Sequence, residues 1–332
     1  MEENKLNWPK IGNEKAIEFL SRVVAGGEPA SAYLFLGPDN LGKSTIALSF
    51  ARALMAPALT NQTGFNSDLH ILEPEEGKQN IAINQVRELI KTLSLSSFLD
   101  SYQIGIIKDA QLLSPEAQSA LLKTLEEPQE KVIIILLATS DDSLLPTILS
   151  RVQKLYFQPV PTDIIYDYLL SQSQTQRSLA KDLAHLSLGR PLKAAYFLEN
   201  PDLYATYLVK AKSLLQLFTL STNKRLAALD GLMNDRTYSP TAIKAATEII
   251  NIFESLLRDL LLLHFNQPER VQHLALKSEL ETFKQQMLNT LDEQTFLNWL
   301  LERFKLTAQA HEYLAANVNP RLVLEQLAIN LL

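Results

Sequence analysis

The chain has 332 residues, 46% of them hydrophobic and 20% charged, with a formal net charge of −6 and no cysteine. This is the composition of an ordinary globular chain, long enough for two or three domains. It excludes disulfides, thiolate-bound zinc and thiol catalysis, fits a cytoplasmic protein, and displays no basic face for nucleic acid. The N-terminal MEENKLNWPK lacks the basic-then-apolar order of a signal peptide. The longest apolar runs, such as Val132 to Ala138, fall far short of a membrane span. The five histidines are scattered, without metal-ligand spacing.

Ala16, Ile17, Phe19, Leu20, Val23 and Val24 recur at helical spacing and predict a helix over residues 12–27, stopped by Gly26-Gly27. The apolar run Tyr33-Leu34-Phe35-Leu36 predicts a strand. It leads into Gly37-Pro38-Asp39-Asn40-Leu41-Gly42-Lys43-Ser44-Thr45, and a helical run, Ile46–Leu54, follows. G-x-x-x-x-G-K-S between strand and helix is a phosphate-binding loop; outside that context it would be a glycine turn. The glycines let backbone N–H groups turn toward phosphate oxygens, and the helix N-terminus adds its positive end. Lys43 would reach the terminal phosphates of ATP or ADP, and the Ser44 hydroxyl would ligate Mg²⁺.

Residues 56–67 read as a polar connector, Asp68–Leu72 as a second strand, and Pro74–Gln79 as a charged turn. Val86, Leu89, Ile90 and Leu93 make one apolar face of a helix over 83–95. Residues 96–101 return the chain to a third strand, Gln103–Ile107. Ser114 and Pro115 start a helix that runs to Glu127 and stops at Pro128. Val132–Ala138 is a continuous apolar run, as in a fully buried parallel strand, and Gln153–Phe157 a fifth strand. Strands alternating with helices predict a parallel five-stranded α/β sheet over about residues 1–160. From Thr162 on, everything reads as helix. There are two or three short helices to about residue 200, broken at Gly189-Arg190-Pro191, then five or six longer ones, best defined over Thr241–Phe265.

Three segments carry a family resemblance. They are Ala120-Leu-Leu-Lys-Thr-Leu-Glu-Glu-Pro128, Leu137-Ala-Thr139, and Leu145-Pro-Thr-Ile-Leu-Ser150-Arg151. In this order and spacing, with the phosphate loop upstream and Asn317-Val-Asn-Pro-Arg-Leu-Val-Leu-Glu-Gln-Leu327 downstream, the chain closely resembles the AAA+ subunits of bacterial DNA polymerase III clamp loaders. Among the subunit types it looks most like delta prime, through Asp68–Pro74 and Ile83–Arg87. The resemblance implies an α/β P-loop (AAA+) domain over 1–160, a small helical lid over 161–202 and an all-α collar over 203–332 that drives oligomerisation. It makes Thr139 the sensor 1 residue near the γ-phosphate, and Arg151 an arginine finger that reaches a neighbour's nucleotide in trans. The plain alternative for Arg151 is a surface ion pair. The implied partners are other clamp-loader subunits of the delta and gamma/tau types, with the sliding clamp and primer-template DNA reached through the complex, and no membrane.

The sequence departs from the family's hydrolysing members in three places. They end the third strand in Asp-Glu, twelve residues before the alanine that is Ala120 here, so Lys108 takes the Mg²⁺-side acid position and Asp109 that of the catalytic glutamate. A cation facing Mg²⁺ is strongly repelled. Lys108 therefore points away, replaces the metal's charge, or leaves the nucleotide without an ordered metal. Asp109 is one methylene shorter than Glu and places an attacking water poorly. Leu192 stands where the sensor 2 arginine is expected; Lys193 would face about 100° away, and Arg190 precedes the helix. The four-cysteine zinc module of many relatives is missing from 56–67, so no zinc is expected. The resulting expectation is a clamp-loader subunit that binds ATP or ADP, Mg²⁺ being optional, but hydrolyses it poorly. The rival is an active AAA+ motor subunit. A metabolic kinase on the same loop lacks an evident acceptor site.

Overall fold

The computed structural model describes residues 11–55, 68–75, 80–95, 102–172, 175–232 and 239–331. The connector at 56–67, residues 76–79 of the charged turn and the return at 96–101 lie outside them. The chain divides into two compact units, Met1–Tyr168 with Gly189–Lys193, and Leu169–Leu188 with Ala194–Leu332.

The first unit is built on β1 (Ala32–Leu36), which pairs in parallel with β4 (Val132–Ala138) on one side and β5 (Gln153–Tyr156) on the other. β3 (Gln103–Ile107) pairs with β4, and β2 (Leu69–Leu72) with β3, so the order is β2-β3-β4-β1-β5 and every pair is parallel. β1, β3 and β4 are buried at every position, whereas the edge strands β2 and β5 are partly exposed. Strand alternation assigns the faces. Ala32, Leu34 and Leu36 pack with Val86 and Leu89 of α3 (Ile83–Leu93) and Leu121 of α4 (Pro115–Glu126). Tyr33 and Phe35 point the other way, onto Leu20 of α1 (Glu14–Gly26) and Phe50 of α2 (Lys43–Met55), with Tyr33 and Phe50 edge to face at 5.2 Å. The fold class expected from the sequence is therefore the observed one, with element ends displaced by at most three residues. The largest displacement is at α2, which begins at Lys43 rather than Ile46 because the last loop residues already form its first turn. α5 (Pro146–Leu149) is too short for periodicity to register.

Beyond β5 the described chain is helical: α6 (Thr162–Ser171), α7 (Arg177–Leu186) and α8 (Pro191–Glu199), then α9 (Pro201–Leu217), α10 (Thr222–Leu232), α11 (Pro240–His264), α12 (Lys277–Leu288), α13 (Glu293–Ala315) and α14 (Pro320–Ile329). The core of the second unit surrounds α11. Ser239 caps that helix by accepting from Ala242 N at 3.1 Å, and Pro240 sits at its first position. Ile249, Phe253, Leu256 and Leu260 recur along it and pack with Phe218, Phe296 and Leu324. Buried Asp259 secures the connector after α11. It accepts the backbone N–H groups of Gln272 and His273 at 2.8 and 2.9 Å and lies 2.7 Å from His273 Nδ1. The other ring nitrogen of His273 lies 2.9 Å from the Tyr207 hydroxyl. A buried carboxylate is thus fully satisfied rather than left to destabilise the helix.

Candidate functional site

The phosphate loop leaves β1 at its C-terminal end, where open α/β sheets bind ligands. Gly37 has φ 148°, and a Cβ there would stand 2.3 Å from the Phe157 carbonyl oxygen, so only glycine fits. Its N–H donates to Ala138 O at 3.2 Å, tying the loop to the tip of β4. Asn40 is left-handed at φ 63° and Gly42 has φ 89°, and together they wind the loop into the first turn of α2. Leu41 is buried in the core and anchors the loop from below. The N–H groups of that first turn have no intrahelical acceptor and face outward as an anion site.

Asp39, Asn40, Gly42, Lys43 and Ser44 line a cavity of about 330 Å³ with Lys108, Asp109, Leu137, Ala138 and Leu192. The sequence-derived loop residues thus divide by task. Gly37 and Pro38 supply carbonyls that accept from Lys43 Nζ, the second at 2.9 Å. Thr45 is exposed on α2. Lys43 is 7% exposed and stands 3.7 Å from Asp39. Burial pushes its ammonium below the ordinary lysine value, against the upward pull of Asp39 and Asp109; the Arg190 charge adds to the downward push.

Lys108 and Asp109 both face the cavity, as their place after β3 requires. The Lys108 backbone N–H donates to Leu72 O at 2.9 Å, and its ammonium is paired with Glu73, just beyond β2. Asp109 is left-handed at φ 51°, and its carboxylate accepts from Gln111 Nε2 at 3.2 Å. Gln111 also accepts, through Oε1, from the Thr139 N–H at 3.2 Å, and its backbone carbonyl from Ser143 Oγ at the same distance. One glutamine therefore connects the Asp109 and Thr139 positions. Sequence reading missed it, since its partners lie up to 32 residues away.

Leu192 enters the cavity wall. Its N–H donates to Asn40 O at 3.1 Å, which places residues 189–193 against the loop. Gly189 makes this approach possible: φ is 78°, and a Cβ would stand 2.6 Å from Pro159 Cβ. Arg190 acts on Lys43 electrostatically and belongs with the site more closely than its place before α8 suggests. Lys193 is partly buried, and burial, with the Arg190 charge adding, pushes it down to about 8.

Arg151 is not among the cavity's lining residues. It follows α5, is 35% exposed, and pairs with Glu126 at 2.9 Å; its Nη1 donates to Thr147 O at 2.9 Å and Ser150 Oγ at 3.2 Å. The segment leading to it is fastened by buried Gln118 of α4. Nε2 donates to Leu113 O at 3.2 Å and Ser143 O at 2.9 Å, and Oε1 accepts from Leu145 N at 2.8 Å.

The residues fit a nucleotide's phosphate chain. They fit Mg²⁺ poorly, since this hard cation takes one or two carboxylate or hydroxyl oxygens of the protein in addition to substrate phosphates and water. Lys108 lines the cavity with Ser44 where an acid would be wanted, and of the two lining carboxylates Asp39 stands 3.7 Å from Lys43 while Asp109 accepts from Gln111. Among the described residues, no group of three His, Cys, Asp or Glu side chains could hold a metal ion, and no helix is long and apolar enough to cross a membrane.

Parallel sheet order, phosphate loop and cavity together define an α/β domain of the P-loop kind, followed by an all-helical region. The family model described as DNA polymerase III, delta subunit, matches residues 12–161. The DNA polymerase III subunit delta' of Pseudomonas aeruginosa is 31% identical over 144 residues, 40% of this chain and 44% of the relative. The DNA polymerase III subunit tau of Bacillus subtilis is 24% identical over 95% of this chain and 59% of its own length. A crystal structure of a DNA polymerase III gamma subunit-related protein from Thermotoga maritima superposes with a TM-score of 0.47 at 21% identity, covering 86% of this chain and 97% of that one. Over its N-terminal domain this chain is like the DNA polymerase III clamp-loader subunits, and delta prime-like among them. The match spans less than half the length of that delta' relative.

Proposed function

We propose that this chain is a delta prime-like subunit of a DNA polymerase III clamp loader, acting in the cytoplasm to load the sliding clamp onto primer-template DNA. In this reading it works in a ring with delta- and gamma/tau-type subunits. The domain over 1–160 holds ATP or ADP on residues 37–45, the lid is residues 161–202, and residues 203–332 form the collar that joins the ring. Its own hydrolysis is poor, and Arg151 is offered to a neighbour's nucleotide.

The observation that carries this reading is that a complete phosphate loop shares its cavity with Lys108, where hydrolysis needs an acid. Phosphoryl transfer depends on a metal held by carboxylate and on a positioned water. Here the ammonium is turned to Glu73, and the acid that follows it in the chain, Asp109, is short and already hydrogen-bonded. Thr139 keeps the sensor 1 position, its backbone fixed by Gln111. The purified chain should therefore turn over ATP at background rate, while copurifying with the other clamp-loader subunits. Robust turnover that Lys43→Ala abolishes would overturn the poor-hydrolysis reading. That result would favour the second reading, an active motor subunit, for which the match to a tau subunit over 95% of the chain speaks.

A further inference from the structure

The structure assigns Lys108 the place of the divalent cation: we propose that this cavity binds the di- or triphosphate of a nucleotide without Mg²⁺, with the Lys108 ammonium as the counter-charge. The inference rests on the nucleotide reading above and says what that site uses in place of metal. Three observations carry it. Lys108 lines the same cavity as Lys43 and Ser44, and its ammonium, now paired with Glu73, belongs to a side chain that borders the space beside the loop. The two acids lining the cavity are committed, Asp39 beside Lys43 at 3.7 Å and Asp109 to Gln111 at 3.2 Å. A dication would enter a space of about 330 Å³ lined by Lys43 and Lys108 as well as by Asp39 and Asp109, so the two lysines already offset the charge of the two acids that would attract it.

The present partner of Lys108 does not stand in the way. Glu73 is 54% exposed, and an ion pair so open to water contributes little. A phosphate oxygen in the cavity offers a charge-assisted hydrogen bond in a drier place, so the ammonium can exchange Glu73 for phosphate at small cost. Arg190, whose charge acts on Lys43, adds to the positive field that a phosphate chain would neutralise.

Calorimetric titration of the full chain with ADP and with a non-hydrolysable ATP analogue, in Mg²⁺ and in EDTA, tests this. The wild type should bind with affinities equal within about threefold in the two buffers. Lys108→Asp should weaken binding in EDTA by about tenfold, the loss of one charge-assisted hydrogen bond, and recover with Mg²⁺. Glu73→Gln, which frees the ammonium, should tighten metal-free binding. Melting curves establish that each variant folds. Wild-type binding that requires Mg²⁺, or a Lys108→Asp affinity unchanged in EDTA, overturns the metal-free site and leaves the nucleotide reading standing. No binding in either buffer, with Lys43→Ala indistinguishable from wild type, overturns the nucleotide reading itself.

Discussion

Arg151 and Lys193 show how much a charge depends on its surroundings. The Arg151 guanidinium, 35% exposed and beside the half-exposed Glu126, forms an ion pair of a kind that contributes about 0–1 kcal/mol to stability. So little is invested in that pair that a partner's phosphate could recruit the side chain. Arg151→Ala should therefore leave the melting temperature nearly unchanged and assembly intact, while lowering the ATPase of the assembled ring; an unchanged ring rate removes the role in trans. Lys193 behaves oppositely. Its folded pKa, about 8, lies below the ordinary lysine value, so between those two pH values the unfolded chain binds more protons than the folded one. Stability from this group then rises with pH across that window, and its burial penalty is fully felt below it. The stability of wild type relative to Lys193→Met should thus rise as pH goes from about 8 toward 10.5, because only the wild type sheds a burial penalty over that window. Paired urea midpoints across the range check it; a difference that stays constant, or moves in favour of Lys193→Met as pH rises, refutes the burial account.

At the scale of elements, two glutamines connect what the backbone only brings near. Gln118 joins α4 to the segment before α5 through two hydrogen bonds, to Ser143 O and from Leu145 N, makes a third to Leu113 O, and is 4% exposed. Gln118→Leu would leave the Leu145 N–H and two carbonyls without this partner, at a cost of about 1–3 kcal/mol. It should also loosen the segment that carries Arg151, so the ring ATPase should fall more than the stability loss alone explains. A variant with wild-type unfolding midpoint and ring rate would show the bonds to be incidental. These links explain how far the sequence could be read. β1, β4, α2, α4 and α11 were legible because hydrophobic period, a glycine-lysine motif and, at α4, a Ser-Pro cap are local signals. The cavity was legible at Lys43, Lys108, Asp109 and Leu192 because family spacing fixed those positions. The Lys108–Glu73 pair, the Gln111 and Gln118 bridges and the approach of Arg190 to Lys43 were not. Each joins residues 25 or more apart in sequence, or depends on a loop conformation such as that of Gly189, and no periodicity encodes such meetings.

For the whole molecule, the proposed collar role raises the question of how to test it without destroying the unit that carries it. Removing residues 203–332 would be a poor test, because the second unit also takes in α7, whose Leu186 belongs to the same hydrophobic cluster as Leu214, Phe253 and Leu324. Truncation would strip that cluster and confound lost assembly with lost folding. α14 offers a cleaner probe. Val323, Leu324 and Leu327 face the core, whereas Leu322 and Ile329, seven residues apart and so on one side of the helix, are 58% and 53% exposed. Replacing both with Asp removes no core contact, so the monomer should melt within about 0.5 kcal/mol of wild type, as surface changes do. If α14 meets a neighbouring subunit, two carboxylates would be buried there without partners, which costs several kcal/mol. The double variant should then fail to copurify with its ring partners while still binding nucleotide at the phosphate loop. Retained copurification at wild-type yield would take α14 out of the assembly surface and move the search to the exposed apolar side chains of α9 and α13, Val209 and Leu301.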